Sequence, residues 1–429
     1  MEKQAILAIG IFLVTYALII SEKIHRTIVA MIGGIAMIAL GVVNQETALR
    51  HIDFNTLGLL AGMMVIVAIT GETGLFKYVA ITAAKRAKGE PVRILLLLGA
   101  ITAIFSAFLD NVTTVLLMVP VTFSITQQLR VNPEPYLLVQ IITSNIGGTA
   151  TLIGDPPNIM IGSAVKELSF MAFIDNLAFI SAVALAATLS ILYFVFRRQL
   201  KTTEALKAKI MSLDERKELK DPVLLKKCLI VLSLTIAGFF LHQLVHLESA
   251  TVALGGAFLL LFLTSKSDHD LEHALGRVEW STIFFFVGLF AVVSGLVETG
   301  VISSLARSSI EFTGGDVKVT AILILWLSAM ASAFVDNIPF VATMIPMIQD
   351  MGTMGIANLE PLWWSLALGA CFGGNGSLVG ASANLIVAGL AAQEGHPISF
   401  MRFLAIGFPL MILSVMIATV YVYFRYLAI

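Results

Sequence analysis

The hexapeptide LDNVTT at positions 109–114 recurs 226 residues later as VDNIPF at positions 335–340. In both copies an Asp-Asn pair interrupts a long apolar stretch. A carboxylate at membrane depth costs from about 2.5 kcal/mol upward, so it is normally tolerated only on an ion pathway or beside a partner. A capped turn at the membrane surface would explain one such pair. Two copies at a fixed spacing favour a paired role inside the membrane.

The composition around these motifs is that of a membrane protein. Of 429 residues, 58% are hydrophobic and 13% are charged, and the mean hydropathy is +0.93, whereas soluble domains carry about 25% charged residues. The net charge of −1 offers no basic surface for nucleic acid. The two cysteines lie apart in apolar runs, which disfavours a disulfide scaffold or a zinc site. We therefore expect a polytopic membrane protein, surrounded by lipid, with no soluble catalytic module and no cofactor.

Apolar runs long enough to cross a bilayer recur along the whole chain. They predict helices near 4–20, 27–43, 54–71, 92–109, 113–129, 135–166 (interrupted), 170–197, 226–245, 248–264, 280–298, 317–335, 338–351, 361–391 (interrupted) and 399–426. Two amphipathic pieces, 75–88 and 301–312, are expected to lie along the membrane surface. The first run lacks a small-residue cleavage site and predicts a retained helix.

Basic residues indicate the orientation. The polar linker between the two halves, with its flanks, holds ten of the 27 Lys and Arg residues, and such enrichment marks the cytoplasmic side. Counting outward from this linker places 21 of the 27 on the same side. We expect a multi-pass protein of the cell inner (plasma) membrane, with a cytoplasmic linker and both termini extracytoplasmic.

The second half of the chain repeats the first at the same offset of 226. The matches include Glu-Thr-Gly at 72–74 and 298–300 and Gly-Gly at 147–148 and 373–374. Each half has five crossings besides the pair of helices around Asp-Asn, and an odd number inverts the second half. We expect an all-α fold of two inverted-topology repeats, each with five transmembrane helices plus a re-entrant hairpin and a broken helix. The expected boundaries are 1–197 for repeat 1 (hairpin 92–129, broken helix 135–166), 198–225 for the cytoplasmic linker and 226–429 for repeat 2 (hairpin 317–351, broken helix 361–391).

A second motif pair predicts the broken helices. SNIGGTATLIGDPPN at 144–158 corresponds to the glycine-rich 373–384, and glycine clusters and Pro-Pro cannot remain helical. Broken helices at membrane depth expose backbone groups that serve as ligands for ions. A glycine seam for close helix packing would explain the glycines alone. The predicted ion and substrate site comprises Asp110, Asn111, Thr113, Thr114, Asn145, Gly148, Thr149, Thr151, Asp155, Asn158, Asp336, Asn337, Gly374, Asn375, Ser377 and Asn384.

These residues include no Arg, Lys or His, so the three carboxylates are expected to lack a basic partner. Hard oxygen ligands suit Na⁺, and a desolvated Asp could instead carry a proton. The candidate Na⁺ ligands are Asp110, Asn111, Asp336 and Asn337. No catalytic residue is expected.

The motifs LDNVTTVLLMVP (109–120) and SNIGGTATLIGDPPN (144–158) resemble those of the ion-transporter superfamily that includes arsenite permeases, NhaD-type Na⁺/H⁺ antiporters and P-protein-like transporters, the last most closely. A more distant similarity links the chain to divalent anion/Na⁺ symporters. The resemblance implies a homodimer and an elevator in which hairpins and broken helices move. The symporters have Ser and Thr around the tip Asn, where this chain has Asp110 and Val112 and then Asp336 and Ile338. The extra carboxylates would repel a dianion unless they are protonated or paired with a cation.

These features predict a secondary active transporter with alternating access that couples a small ion or an anionic or neutral solute to Na⁺ or H⁺. Three alternatives stay open: an arsenite or antimonite efflux permease, a passive anion channel and an intramembrane aspartyl protease. The inverted duplication disfavours the protease, because a catalytic dyad needs no repeat.

Overall fold

Helices form most of the chain in the computed structural model, which describes residues 2–21, 23–242 and 245–428. No strand occurs within these ranges. The α-helices are α1 (Glu2–Ser21), α2 (Arg26–Ala39), α3 (Gln45–Arg50), α4 (Phe54–Glu72), α5 (Leu75–Arg86), α6 (Pro91–Leu109), α7 (Asn111–Leu129), α8 (Glu134–Gly148), α9 (Pro156–Ala164), α10 (Phe170–Phe173), α11 (Phe179–Phe196), α12 (Glu204–Met211), α13 (Pro222–Leu241), α14 (Ser249–Thr264), α15 (Asp268–Gly276), α16 (Trp280–Glu298), α17 (Val301–Thr313), α18 (Val317–Phe334), α19 (Asn337–Thr353), α20 (Glu360–Gly373), α21 (Ser382–Gln393) and α22 (Phe400–Val422).

Nine helices within the described ranges are long and apolar enough to cross a membrane. The prediction of an all-α polytopic membrane protein is confirmed. Helix boundaries differ from the predicted ones where local capping decides them. The helix predicted at 226–245 begins at Pro222, because Asp221 accepts hydrogen bonds from the backbone N–H groups of Val223 and Leu224. The helix predicted at 27–43 ends at Ala39, before a turn at Gly41 with φ of 71°.

Each repeat contains one helical hairpin and one broken helix, and the two repeats interlock. Helices α6 and α7 form the first hairpin and α18 and α19 the second; α6 packs on α8, and α18 packs on α20 in the same way. The second arm of each hairpin packs on the far half of the other repeat's broken helix, with α7 on α21 and α19 on α9. Together with α10, α11 and α22, these helices form what we call the hairpin group.

A second group of helices, here called the frame group, comprises α1, α2, α4, α13, α14 and α16. Its central pairs are α2 with α16 and α4 with α14, so each pair joins the two repeats. A Cβ atom at Gly62 would lie 2.6 Å from the backbone carbon of Ala253, and one at Gly288 would lie 2.5 Å from that of Ala30. Only glycine permits these two close approaches. Ala30 on α2 and Ala253 on α14 make equivalent contacts in the two repeats, so these two helices correspond at an offset of 223 residues rather than 226.

The linker is not an open polar loop. It forms α12 and a 3-10 turn at Glu215–Glu218, and both pack on α5, so the amphipathic piece expected along the membrane surface is partly covered by the linker. Lys85 on α5 donates to the Glu215 carboxylate at 2.5 Å and to the Leu213 carbonyl at 2.9 Å. The hydrogen bond from Lys85 lowers the pKa of Glu215 below its ordinary value. The face of the protein on which this linker lies is called the linker side below.

Candidate functional site

The two hairpin tips are built around the Asp-Asn pairs. Asp110 caps α7: its Oδ1 accepts from the backbone N–H of Thr113 at 2.9 Å and its Oδ2 accepts from the Thr113 hydroxyl at 2.6 Å. Its backbone has φ of 72° and ψ of 155°, a conformation that strongly favours glycine. An aspartate in this region is a local strain of the kind that accumulates at functional sites. Thr114 is buried next to this turn, and its hydroxyl has no hydrogen-bond partner among the described residues.

The second tip has an additional charged partner. Asp336 caps α19 through the backbone N–H of Ile338 at 3.1 Å, and its Oδ2 accepts from the Ser382 hydroxyl at 2.9 Å. Arg26, the first residue of α2, donates from Nη1 to the same Oδ2 at 2.5 Å. The expectation that no carboxylate in the site has a basic partner is therefore wrong for Asp336. The sequence motifs missed Arg26 because it lies outside them and 310 positions away from its partner.

Both broken helices unwind where the glycines and prolines predict, between α8 and α9 and between α20 and α21. The two unwound segments are held in equivalent ways by an asparagine. Asn158 donates from Nδ2 to the carbonyls of Thr149 at 3.0 Å and Thr151 at 2.8 Å. Asn384 donates to the carbonyls of Gly374 at 2.7 Å and Ser377 at 2.8 Å. These side chains compensate carbonyls that lost their helical partners, as burial at membrane depth requires.

Hydroxyl groups fasten each unwound segment to its own hairpin. Thr151 donates to the Ala107 carbonyl near the first tip, and Ser377 donates to the Ala333 carbonyl near the second tip at 2.5 Å. The glycines allow close backbone contact: a Cβ at Gly148 would lie 2.5 Å from the Gly154 carbonyl oxygen. Five of the predicted site residues thus hold the backbone in shape: Gly148, Thr151, Asn158, Ser377 and Asn384. The side-chain donor groups of the last four are not free for a ligand.

An asparagine network joins the two repeats at the centre. Asn145 accepts from Asn111 at the first tip at 3.2 Å, and its own amide donates to the Oδ1 atoms of Asn375 and Asn384, each at 2.9 Å. Asn375 donates in turn to the Ile142 carbonyl at 3.2 Å. One side chain therefore connects a hairpin of repeat 1 to the broken helix of repeat 2.

Asp155 is the third buried carboxylate, and it is fully excluded from solvent. It stands directly before α9, where Pro156 and Pro157 have no backbone N–H to offer, and its side chain makes no capping hydrogen bond. Oδ1 accepts from Asn337 at 3.5 Å, and Oδ2 has no partner within the described part of the chain. Cys371 lies close by and donates to Asn158 Oδ1 at 3.6 Å.

Two cavities approach this centre from opposite sides. The first, on the linker side, has a volume of about 300 Å³ and is lined by Arg26, Asp336 and Ser382 together with apolar residues of α1 and α21. The second, on the other side, has a volume of about 270 Å³ and is lined by residues that include His51, Asp53 and Ser163. The polar groups between the two cavities are mainly carboxylate, amide and carbonyl oxygens, and hard cations prefer such oxygen ligands. The described residues contain no cluster of three or more His, Cys, Asp or Glu side chains that could hold a metal ion.

Two inverted repeats of apolar helices that enclose a buried polar centre define the class of protein: a membrane transporter. A family model for citrate transporters, CitMHS, matches residues 16–369. The chain belongs to this family, which confirms the predicted membership of the ion-transporter superfamily.

Relatives and a solved structure agree with this membership. An uncharacterized transporter of Mycobacterium tuberculosis is 41% identical over 429 residues and covers 99% of both chains. The human P protein is 35% identical over 502 aligned positions, which cover 98% of this chain and 60% of that longer protein. The crystal structure of the YdaH transporter from Alcanivorax borkumensis matches with a TM-score of 0.60 at 12% identity and covers 98% of this chain and 97% of the other, which supports the fold.

Proposed function

We propose that this protein is a secondary active transporter of the elevator type in which Asp110 and Asp336 carry the coupling ion, Na⁺ or H⁺. The observation that carries the proposal is the pair of buried Asp-Asn tips beside the two unwound helices, with Asn337 of the second tip bonded to Asp155 in the broken helix of the first repeat. Carboxylates in such a position are costly unless they bind a proton, a cation or a basic group. The cargo is a small ion or an anionic or neutral solute held near Asn145 and Asp155.

The division into two helix groups supports the elevator. The frame group is joined across the repeats by close glycine contacts, whereas the hairpin group interlocks through α7 with α21 and α19 with α9. A rigid displacement of one group against the other would carry both tips together and expose the centre alternately. In this proposal the frame group also forms the homodimer contact, the linker is cytoplasmic and the protein resides in the plasma membrane.

Transport by reconstituted protein tests the coupling role. Proteoliposomes are given Na⁺ or pH gradients, and internal pH and ²²Na⁺ uptake are followed with arsenite, carboxylates or no added solute. Asp110→Asn and Asp336→Asn should each reduce ion-coupled flux at least about tenfold, because Asn retains the capping oxygen but cannot carry charge. Asp316→Asn is the matched control, since Asp316 is an exposed cap of α18. Unchanged coupled flux in both tip variants would refute the proposal, and flux that is independent of any driving gradient would indicate a passive channel.

A further inference from the structure

Arg26 links the two helix groups through one nitrogen atom. It begins α2 in the frame group, and its Nη1 lies 2.5 Å from Asp336 Oδ2 on the hairpin tip and 2.5 Å from Ser382 Oγ at the start of α21. Asp336 is 6% exposed and Arg26 is 23% exposed. The Phe285 ring lies 5.0 Å from the guanidinium carbon, a further favourable contact for a cation. The guanidinium thus lies where two oxygens of the hairpin site converge.

Among the described residues, the position that corresponds to Arg26 by the repeat, and would serve the first tip, carries no cation. The offset of 223 between α2 and α14 places Ser249 at the position of Arg26, and the offset of 226 places Pro156 at the position of Ser382. Neither residue carries a charge, and proline has no side-chain donor. Within the described part of the chain, the Asp110 carboxylate accordingly accepts hydrogen bonds only within its own turn, from the Thr113 backbone N–H and hydroxyl. The helical hairpin is repeated, but the basic residue beside the second tip is not.

Two further acidic groups lie near the tips. Glu279, which directly precedes α16, lies close enough to interact electrostatically with both Asp110 and Arg26. Asp155 interacts with both tip carboxylates. His25 also lines the cavity on the linker side, so the groups facing Arg26 are Asp336, Glu279 and His25. One guanidinium therefore faces several carboxylates, and a small cation that bound Asp336 Oδ2 would be repelled by Arg26 at the same oxygen.

We propose that Arg26 is a built-in cation that occupies the Asp336 site when no coupling cation is bound there, so that the two hairpin sites are not equivalent. A coupling cation at Asp336 must displace Arg26, whereas a cation at Asp110 competes with no basic residue. Displacement also breaks a link between the frame group and the hairpin group. The inference rests on the proposed function, because it takes Asp336 as a cation site.

Thermal unfolding of the purified full-length protein in nanodiscs tests this directly. NaCl or LiCl replaces N-methylglucamine chloride at constant ionic strength, and the unfolding temperature is recorded for wild type, Arg26→Gln, Arg26→Lys and Lys23→Gln. Lys23 is an exposed basic residue three positions away and serves as the matched charge control. Arg26→Gln should be less stable without Na⁺, and its half-maximal stabilisation should occur at about tenfold lower Na⁺ or Li⁺ than in wild type. Arg26→Lys and Lys23→Gln should behave like wild type.

The double variant Arg26→Gln/Asp336→Asn separates a cation effect from a folding defect. It should lose the added response to Na⁺ and Li⁺, because the carboxylate that binds them is gone. If Arg26→Gln shows the same cation dependence as Lys23→Gln, or if the double variant keeps the response, the inference is wrong. Failure of the proposed function looks different: wild type would show no ion-coupled flux in proteoliposomes, whatever the stability of Arg26→Gln does.

Discussion

Replacing Asn145 by leucine, which has nearly the same shape, should destabilise the protein by about 2 kcal/mol. The side chain makes three hydrogen bonds, one from Asn111 and one each to Asn375 and Asn384. Interhelical hydrogen bonds in membrane proteins average about 0.6 kcal/mol and reach about 1.7 kcal/mol, so three give about 2 kcal/mol and at most about 5. The amide nitrogen of Asn111 would lose its partner at the first tip.

The assay is unfolding in mixed dodecyl maltoside and SDS micelles, followed by tryptophan fluorescence. Trp363 and Trp364 are buried on α20, which leads into the second unwound segment, and they report on that region. Gln140→Met is the matched control: Gln140 lies on the same helix, its Oε1 has no partner among the described residues, and its amide makes one long bond of 3.5 Å to Thr102. This control should be neutral or slightly stabilising. If Asn145→Leu costs no more than Gln140→Met, the asparagine network does not hold the two repeats together.

Two further predictions concern packing and the linker. Gly147→Ala should lower the unfolding temperature strongly, because the added Cβ would lie 2.1 Å from the Ala103 carbonyl oxygen. Gly255→Ala is the control and should be tolerated, because a Cβ at that position meets nothing within 4 Å. Equal stability of the two variants would contradict the close packing of α6 on α8. Lys85→Gln should expose the linker to limited proteolysis at neutral pH. In wild type the pKa of Glu215 is lowered, so its ion pair with Lys85 stabilises the linker fully at pH values above the ordinary glutamate pKa. This stabilisation is lost as the pH falls through the lowered pKa of Glu215. Protection of the wild-type linker should therefore persist between about pH 5 and 8, and loss of protection within that window would refute the role of the ion pair.

The backbone of the site was predictable from the sequence because it is repeated. Asp110 and Asp336 each interrupt an apolar run, and glycine and proline are chemically unable to continue a buried helix, so both the tips and the breaks carry local signals. The structure joins Asn111, Asn145, Asn375 and Asn384 in one hydrogen-bonded network. The sequence pattern could not show which polar groups are free to bind a ligand, because their hydrogen-bond partners come from other helices.

Arg26 illustrates that limit. In the sequence it is one of many basic residues at predicted loop edges on the linker side, and nothing local distinguishes it from Lys23. Its partner becomes evident only when α2 packs on α16 and the second hairpin tip arrives beside it. Thr151 and Ser377 show the converse, because their hydroxyls suggested ligands and instead bond to hairpin carbonyls. The types of polar group in the site were predictable from the sequence, but whether each group faces a ligand or bonds to the protein depends on how the helices pack.

The three membrane carboxylates all directly precede a helix, yet they are used differently. Asp110 and Asp336 accept backbone N–H groups of α7 and α19, which lowers the cost of placing them in an apolar environment. Asp155 precedes α9 in the same way, but two prolines remove the first donors, and one of its oxygens stays without a partner in the described structure. In repeat 2 the equivalent position is Ala381. Capping therefore occupies one oxygen at each tip but none at Asp155, whose Oδ1 instead accepts from Asn337 of the other repeat, so this third carboxylate contributes to the contact between the two repeats.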